Sequence, residues 1–472
     1  MIKTNNDIEM AEEMASLSNN QKKYKKIENY LTIPKDLYVK YNDLTFDSSK
    51  LDNLIKALYS KEINEKYYGL VGIRKLLSLI EIKEIISKIN EMQLIPKFID
   101  ILDNDPYEFK YQALWCLTNI ATGNTEQVMN IILYGGINKI MDCLDSDIEE
   151  IVLQSIWIFG NLAADSNQIK QILSNKGFFD KILNILSFNN NEEIIKLGAW
   201  AICNFLRNYE CLPFEKAFQI FKIFSKNLVE INCINKDFIK DTCLIISKVT
   251  FNQKMIINEI IKINKLIQKI ISFLDIEDEN IKFYSLNIIN DISTGDIENV
   301  QKLMDFNVLE KLKLMLLNET KPNIIKNVAW ILSNIACENE KIVESLVEND
   351  FIRILINTFN TNAEMKVKKA SLFAICNIFD KIKNKEEYIE KIMKEGFIKI
   401  LFESMSIEDP ECIIISIEII KQILDLDKKM HPNIKPFKLL LQKLGINKIL
   451  EKLKLYPNEQ VQCYVEKIKS KI

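Results

Sequence analysis

Five segments of this 472-residue chain carry an aromatic residue followed four positions later by asparagine: Trp115 with Asn119, Trp157 with Asn161, Trp200 with Asn204, Trp330 with Asn334, and Phe373 with Asn377. Residues four apart share one face of an α-helix. A carboxamide both donates and accepts, so a row of asparagines can pair with the N–H and C=O groups of an extended backbone without reading its side chains. Indoles between them can clasp the aliphatic stems of lysines and attract the ammonium through the ring face. Carboxylates beyond the aromatics would receive the charged ends. A lone tryptophan on an apolar helix is usually core, and a nearby asparagine often serves only a local bond. Five pairs in one register argue instead for a ladder.

The elements that position these pairs follow from the register. The tryptophans are separated by 42, 43 and 130 residues, and Leu244 and Asn287 divide the long gap into steps of 44, 43 and 43. Phe373 follows Trp330 after another 43. A second mark recurs at the same period, an apolar residue opening a helix at Ile95, Ile137, Phe178, Leu266, Val308, Phe351, Phe397 and Ile446. Helical periods of about 40–47 residues belong to armadillo or HEAT units, which bury their apolar faces only by stacking, whereas tetratricopeptide and ankyrin units are shorter. Gly136, Gly177, Gly396 and Gly445, each just before such a start, suit tight turns between helices. The expectation is an all-α, right-handed superhelical solenoid of about ten armadillo repeats over residues 46–472, preceded by a flexible segment, 1–45.

Composition supports helices and excludes several chemistries. Glycine and proline number only 11 and 9, no strand pattern recurs, and the formal charge of −3 leaves no dedicated basic surface for nucleic acid. Ten cysteines without a C-x-x-C pair read as reduced core residues, so neither disulfides nor zinc are expected. No secretory leader pattern and no long uncharged apolar stretch is present, which predicts a soluble, unsecreted protein. The single histidine, His431, falls in the loop-like KKMHPNIKP, so no histidine-based nucleophile or metal site can be assembled. Paired carboxylates such as Glu149 and Glu150 are ordinary on solvated helix faces. The chain is therefore expected not to be an enzyme and to need no cofactor or metal.

At these residues the chain resembles importin-α, an armadillo-repeat adaptor for nuclear-localisation peptides, and the resemblance covers nearly all of it. Its motifs are GIRKLLS around Ile73, LIPKFIDIL near Ile95, WCLTNIATGNTEQ and WIFGNLAAD. The resemblance implies a major groove on the early repeats, formed by Trp115, Asn119, Trp157, Asn161, Trp200 and Asn204, that takes a lysine-rich peptide. By the same likeness Asp165 receives the dominant lysine, Gly123 offers its carbonyl to that ammonium, Gln154 makes a polar contact, and Asp237 and Asp241 are acidic positions near the next pocket. A minor groove is implied at Trp330, Asn334, Phe373 and Asn377.

The departures from the family pattern are specific. Leu244 stands for a tryptophan, Lys248 for a tyrosine, Phe373 for a tryptophan, Asn287 for an arginine, and Asn327 and Ala370 for glutamates. Each missing carboxylate removes a charged partner worth about 1.5–3 kcal/mol, which implies a weaker minor groove. The first 45 residues lack the arginine-rich segment that binds importin-β; their one basic cluster, Lys22, Lys23, Lys25 and Lys26, resembles a short localisation signal able to occupy the groove in cis. The implied partners are basic cargo peptides, importin-β and an export carrier, with no nucleic acid or membrane, and the implied location is cytoplasm and nucleus. An armadillo-class scaffold for another extended peptide is the alternative.

Overall fold

The construction of one repeat can be followed through residues 166–206 of the computed structural model. The Ser166 hydroxyl accepts the Ile169 N–H and caps the helix Asn167–Asn175. Gly177 then takes φ +75°, which turns the chain directly into Phe178–Phe188. Asn191 accepts from the N–H groups of Glu193 and Ile194 and starts Glu192–Leu206. Three amphipathic helices result, and none can bury its apolar face alone.

The structure describes residues 32–79, 82–208, 212–231, 235–431, 433–469 and 471–472. Among these residues there are twenty-nine α-helices and no strand, so the chain is an all-α solenoid of armadillo-like repeats. They group into ten units, nine of them ending in their longest helix. These ladder helices are α1 (Ile63–Leu76), α2 (Tyr107–Ile120), α3 (Glu149–Asp165), α4 (Glu192–Leu206), α5 (Lys236–Thr250), α6 (Glu279–Ser293), α7 (Pro322–Ile335), α8 (Met365–Ile382), α9 (Pro410–Met430) and α10 (Glu459–Lys469). The fifth unit departs from the pattern: a single helix, Phe214–Glu230, precedes α5 where the others have two. Pro322 and Pro410 open α7 and α9, where a missing N–H costs nothing.

The left-handed turn expected at Gly136 lies one residue earlier. Gly135 has φ +80°, and Gly136 is already helical, where a Cβ would come 2.7 Å from the Ile131 carbonyl oxygen. Gly177, Gly396 and Gly445 do take positive φ, and Asn307 and Asp350 serve the same turn in two other repeats. The packed part of the chain also begins ahead of residue 46. Lys35–Asp43 is helical, with Tyr38 buried and stacked on Tyr67 at 5.8 Å between ring centroids. The lysine cluster at 22–26 lies outside the described residues.

The chain divides into two compact units, residues 1–211 with α1–α4 and residues 212–472 with α5–α10. In the first, Phe159 of α3 and Phe205 of α4 stack at 6.0 Å, and Phe178 and Phe179 close on them at 4.9 and 4.1 Å. All four are essentially inaccessible. Each such ring contributes about 1.5–3 kcal/mol by leaving water. In the second unit Phe351, Phe359, Phe379 and Phe397 are buried in the same way. Of the described cysteines, Cys116, Cys143, Cys203, Cys243, Cys376 and Cys412 are core residues as expected, but Cys337 and Cys463 are exposed.

Candidate functional site: a ladder of aromatic and asparagine side chains

The asparagines do more than the sequence reading assigned to them. In the first unit the Asn119 amide donates to Ser78 Oγ at 3.2 Å, Asn161 to the Thr118 carbonyl at 3.0 Å, and Asn204 to the Gly160 carbonyl at 3.3 Å. In the second, Asn334 donates to Asn290 Oδ1 and Ser293 Oγ, both at 3.1 Å, and Asn377 to the Ser333 carbonyl at 3.1 Å. Every amide thus reaches back to the preceding repeat through its NH₂ group. Among the described residues nothing donates to the five Oδ1 atoms, so the row holds the repeats in register and keeps an acceptor at each step.

For three of these bonds the signal sits beside an asparagine. Thr118, Gly160 and Ser333, whose carbonyls accept the amides, immediately precede Asn119, Asn161 and Asn334, and a small side chain there lets the next helix approach. Gly160 is the tightest case. A Cβ on it would fall 2.1 Å from Trp200 Cζ3, so the Trp200 indole leans on α3 through the space that glycine leaves.

The aromatic members are not equally available. Trp157 and Trp200 are only 7% and 8% exposed, so little of either ring is open, while Trp115 is half-buried and Trp330 is 37% exposed. One face of Trp115 is already covered by Arg74, whose guanidinium carbon lies 4.4 Å from the ring centroid. Arg74 is held there by Gln112 Oε1 at 2.9 Å and Asn42 Oδ1 at 3.2 Å, and burial keeps its pKa below the usual arginine range. The sequence reading missed this internal cation. Trp330 and Phe373 meet at 6.0 Å in the second unit.

The polar positions separate into engaged and open groups. Gln154 is buried, with the Thr118 hydroxyl 3.1 Å from its Oε1. Asp165 closes α3 beside the loop that carries Gly123; the Thr125 hydroxyl approaches its Oδ1 at 3.4 Å, and its Oδ2 is buried without a hydrogen-bond partner. A buried carboxylate oxygen left unpaired is costly, and a cation is the partner that offsets the cost best. Asp237 and Asp241 stand on α5, in the other unit: Asp237 is exposed and bonded to Lys240 at 2.5 Å, and Asp241 is buried. Asn327 donates to Asn287 Oδ1 at 3.0 Å, so two positions that depart from the family pattern pair with each other. Ala370 is buried. No group of His, Cys, Asp and Glu able to hold a metal ion occurs among the described residues, and no described helix is long and apolar enough to cross a membrane.

Fold and ladder together define an armadillo-like repeat protein. The comparisons agree with this class. An engineered protein of known structure superimposes with a TM-score of 0.71 over 89% of this chain and 98% of its own, at 18% identity. No protein-family model matches. Among curated proteins, importin subunit alpha-1a of rice is 24% identical over 312 residues, covering 66% of this chain and 58% of its own length. Importin subunit alpha-4 of Arabidopsis thaliana is 25% identical over 384 residues, 80% of this chain and 70% of that one. Importin subunit alpha-1 of Schizosaccharomyces pombe is 37% identical over 188 residues, 40% of this chain and 34% of that one. The matched part spans just over half of the first relatives' length, 58% and 54%. Together these relatives support assignment of the chain to the importin-α family of armadillo-repeat proteins.

Proposed function

We propose that this chain is a non-enzymatic adaptor for nuclear import that binds lysine-rich localisation peptides along the ladder of its first unit. The observation that carries the reading is Asp165: a buried carboxylate oxygen without a partner, beside the Thr125 loop and in register with the asparagine row. In this mechanism the peptide backbone donates to Oδ1 of Asn119, Asn161 and Asn204. Pairing to main chain sets the direction and spacing of the peptide but reads little sequence.

Selectivity for lysine comes from the elements around that row. An aliphatic stem passes between Trp157 and Trp200, and the ammonium ends at Asp165 with the Gly123 carbonyl near it. Charge-assisted bonds to a desolvated carboxylate are roughly twice as strong as neutral ones, so an acetylated lysine binds poorly. Tryptophans packed this firmly contribute rigidity at little entropic cost. The names of the relatives, importin α subunits, favour basic cargo peptides and a β-type carrier as partners, with movement between cytoplasm and nucleus.

Isothermal titration of the full chain with a lysine-rich peptide and with its fully acetylated counterpart tests this. Micromolar or tighter binding of the charged peptide, lost on acetylation, is expected. Equal binding of the two, or none of either, overturns the adaptor reading.

A further inference from the structure

Arg74 of α1 is a buried cation that the fold leaves without a counter-charge. It is 8% exposed, and its guanidinium carbon lies 4.4 Å from the Trp115 ring centroid. Nε donates to Gln112 Oε1 at 2.9 Å and Nη2 to Asn42 Oδ1 at 3.2 Å, both neutral carboxamides. Nη1 bonds to no described residue and is not sealed from solvent. Among the described residues no carboxylate pairs with the group. The titratable side chains around it are Tyr111, Cys116, Tyr67 and Tyr38, none of them a carboxylate.

The acids of this region are engaged elsewhere. Glu108, one turn before Gln112 on α2, accepts the Thr32 N–H at 2.8 Å and the Thr32 hydroxyl at 2.5 Å through its Oε1. Asp43 is exposed and acts on Lys75, whose ammonium donates to the carbonyls of Asn42 and Leu44. Two adjacent residues of α1 thus bring positive charge to a region whose fixed partners are carbonyls and carboxamides. Packing alone gives no reason for a charge at Arg74, because an apolar side chain of similar length would cover the indole without the cost of desolvation.

Arg74 also belongs to the ladder by position. The Ser78 hydroxyl, one turn further along the chain, donates to the Arg74 carbonyl at 3.1 Å and accepts the Asn119 amide at 3.2 Å. Trp115 stands one turn before Asn119 on α2. At the end of α3, Asp165 keeps a carboxylate oxygen without a partner. The first unit therefore carries an unpaired cation and an unpaired anion beside successive steps of one row. A guanidinium is shaped for a carboxylate, which its forked N–H groups can hold through two parallel bonds.

We propose that Arg74 is an anion-reading residue of the ladder, which takes a carboxylate flanking the lysine cluster of the bound peptide, either an acidic side chain or a free chain terminus. This rests on the adaptor reading and deepens it by adding a second element of specificity. Packed helices lie about 8–10 Å apart and an extended chain advances about 3.3 Å per residue, so the carboxylate falls roughly three to six residues from the lysine at Asp165. A basic run continued past that point meets like charge and is disfavoured.

The test titrates the full chain with fluorescent penta-lysine peptides extended, at one end or the other, by Gly-Gly-Glu or Gly-Gly-Gln with blocked termini. A further pair ends in Gly-Gly-Gly with a free or an amidated terminus. At one end of the lysine run the carboxylate is expected to tighten binding roughly tenfold over its uncharged counterpart, the size of a charge-assisted bond. The arm that responds, glutamate or free terminus, identifies the source of the carboxylate. Arg74→Met is expected to abolish the preference and Arg74→Lys to keep part of it. The ratio of affinities is the readout because a merely disturbed wall at Trp115 lowers both together. Equal binding of charged and uncharged extensions by the wild type overturns the proposal without any variant, as does a preference that survives in Arg74→Met. No binding of any lysine peptide by the wild type fails the adaptor reading itself.

Discussion

The ladders of the two units share one register and differ in how much of their chemistry is consumed inside the fold. In the first, Trp157 and Trp200 are 7% and 8% exposed, the asparagines are bonded backward, Arg74 covers Trp115, and one carboxylate oxygen of Asp165 remains unpaired. In the second, Trp330 is 37% exposed, a buried aspartate replaces an asparagine, and Glu338 stands half-open. The first ladder is closely packed and leaves one carboxylate oxygen unpaired. The second leaves its tryptophan more open and carries Asp291 at an asparagine position. A repeat architecture permits this because each unit contacts only its neighbours, so one layer can change its side chains without disturbing a distant one.

The largest expected difference is in stability. Trp157→Ala empties a packed site and is expected to cost about 3–5 kcal/mol, whereas Trp330→Ala removes a partly exposed ring and is expected to cost about 1 kcal/mol. Urea unfolding of the two variants measures both, and equal losses would erase the contrast between buried and open walls.

Asp291 sharpens the comparison through pH. Burial pushes its pKa up from 3.8 to about 6, with the Thr250 hydroxyl pulling the other way. Between about pH 4 and 6 the folded chain keeps a proton that the unfolded chain has lost, so stability falls as pH rises through this window and the deficit persists at pH 7. That deficit is at most about 3 kcal/mol. Asp291→Asn, which restores the carboxamide, is therefore expected to raise the unfolding midpoint at pH 7 and to flatten the dependence between pH 4 and 6. An unchanged pH profile would mean that Asp291 is not desolvated.

Glycine substitutions probe the ladder's geometry at smaller cost. Gly160→Ala places a methyl 2.1 Å from the Trp200 ring, so the indole must move, at about 1–3 kcal/mol and with a change in tryptophan fluorescence. Gly295→Ala meets the flexible Asn299 side chain instead and is expected to cost less. A larger loss at 295 than at 160 would reverse the ranking of the two ladders by closeness of packing.

Much of this was legible in the sequence because it repeats. Helix starts at Ile95, Phe178, Val308, Phe351, Phe397 and Ile446 coincide with those in the structure, since an apolar residue after a left-handed turn leaves the chain little choice. The aromatic and asparagine positions do occupy equivalent places on successive ladder helices. What stayed hidden was tertiary. A 3.6-residue period does not reveal that Trp157 and Trp200 are nearly sealed, because exposure depends on the neighbouring repeat and on the small residue Gly160. Nor does it show that Arg74, on the helix before, supplies its own cation to Trp115.

The most direct test is the carboxylate at the end of α3. Asp165→Asn keeps the shape and removes only the charge, and the unpaired Oδ2 leaves no described ion pair to be broken inside the fold. Titration of a single-cluster lysine peptide against the wild type and this variant isolates the contribution of that charge. A loss of tenfold or more in affinity, about 1.4 kcal/mol, with an unchanged melting temperature is the expected result. Equal affinity in the two proteins would contradict a lysine pocket at Asp165.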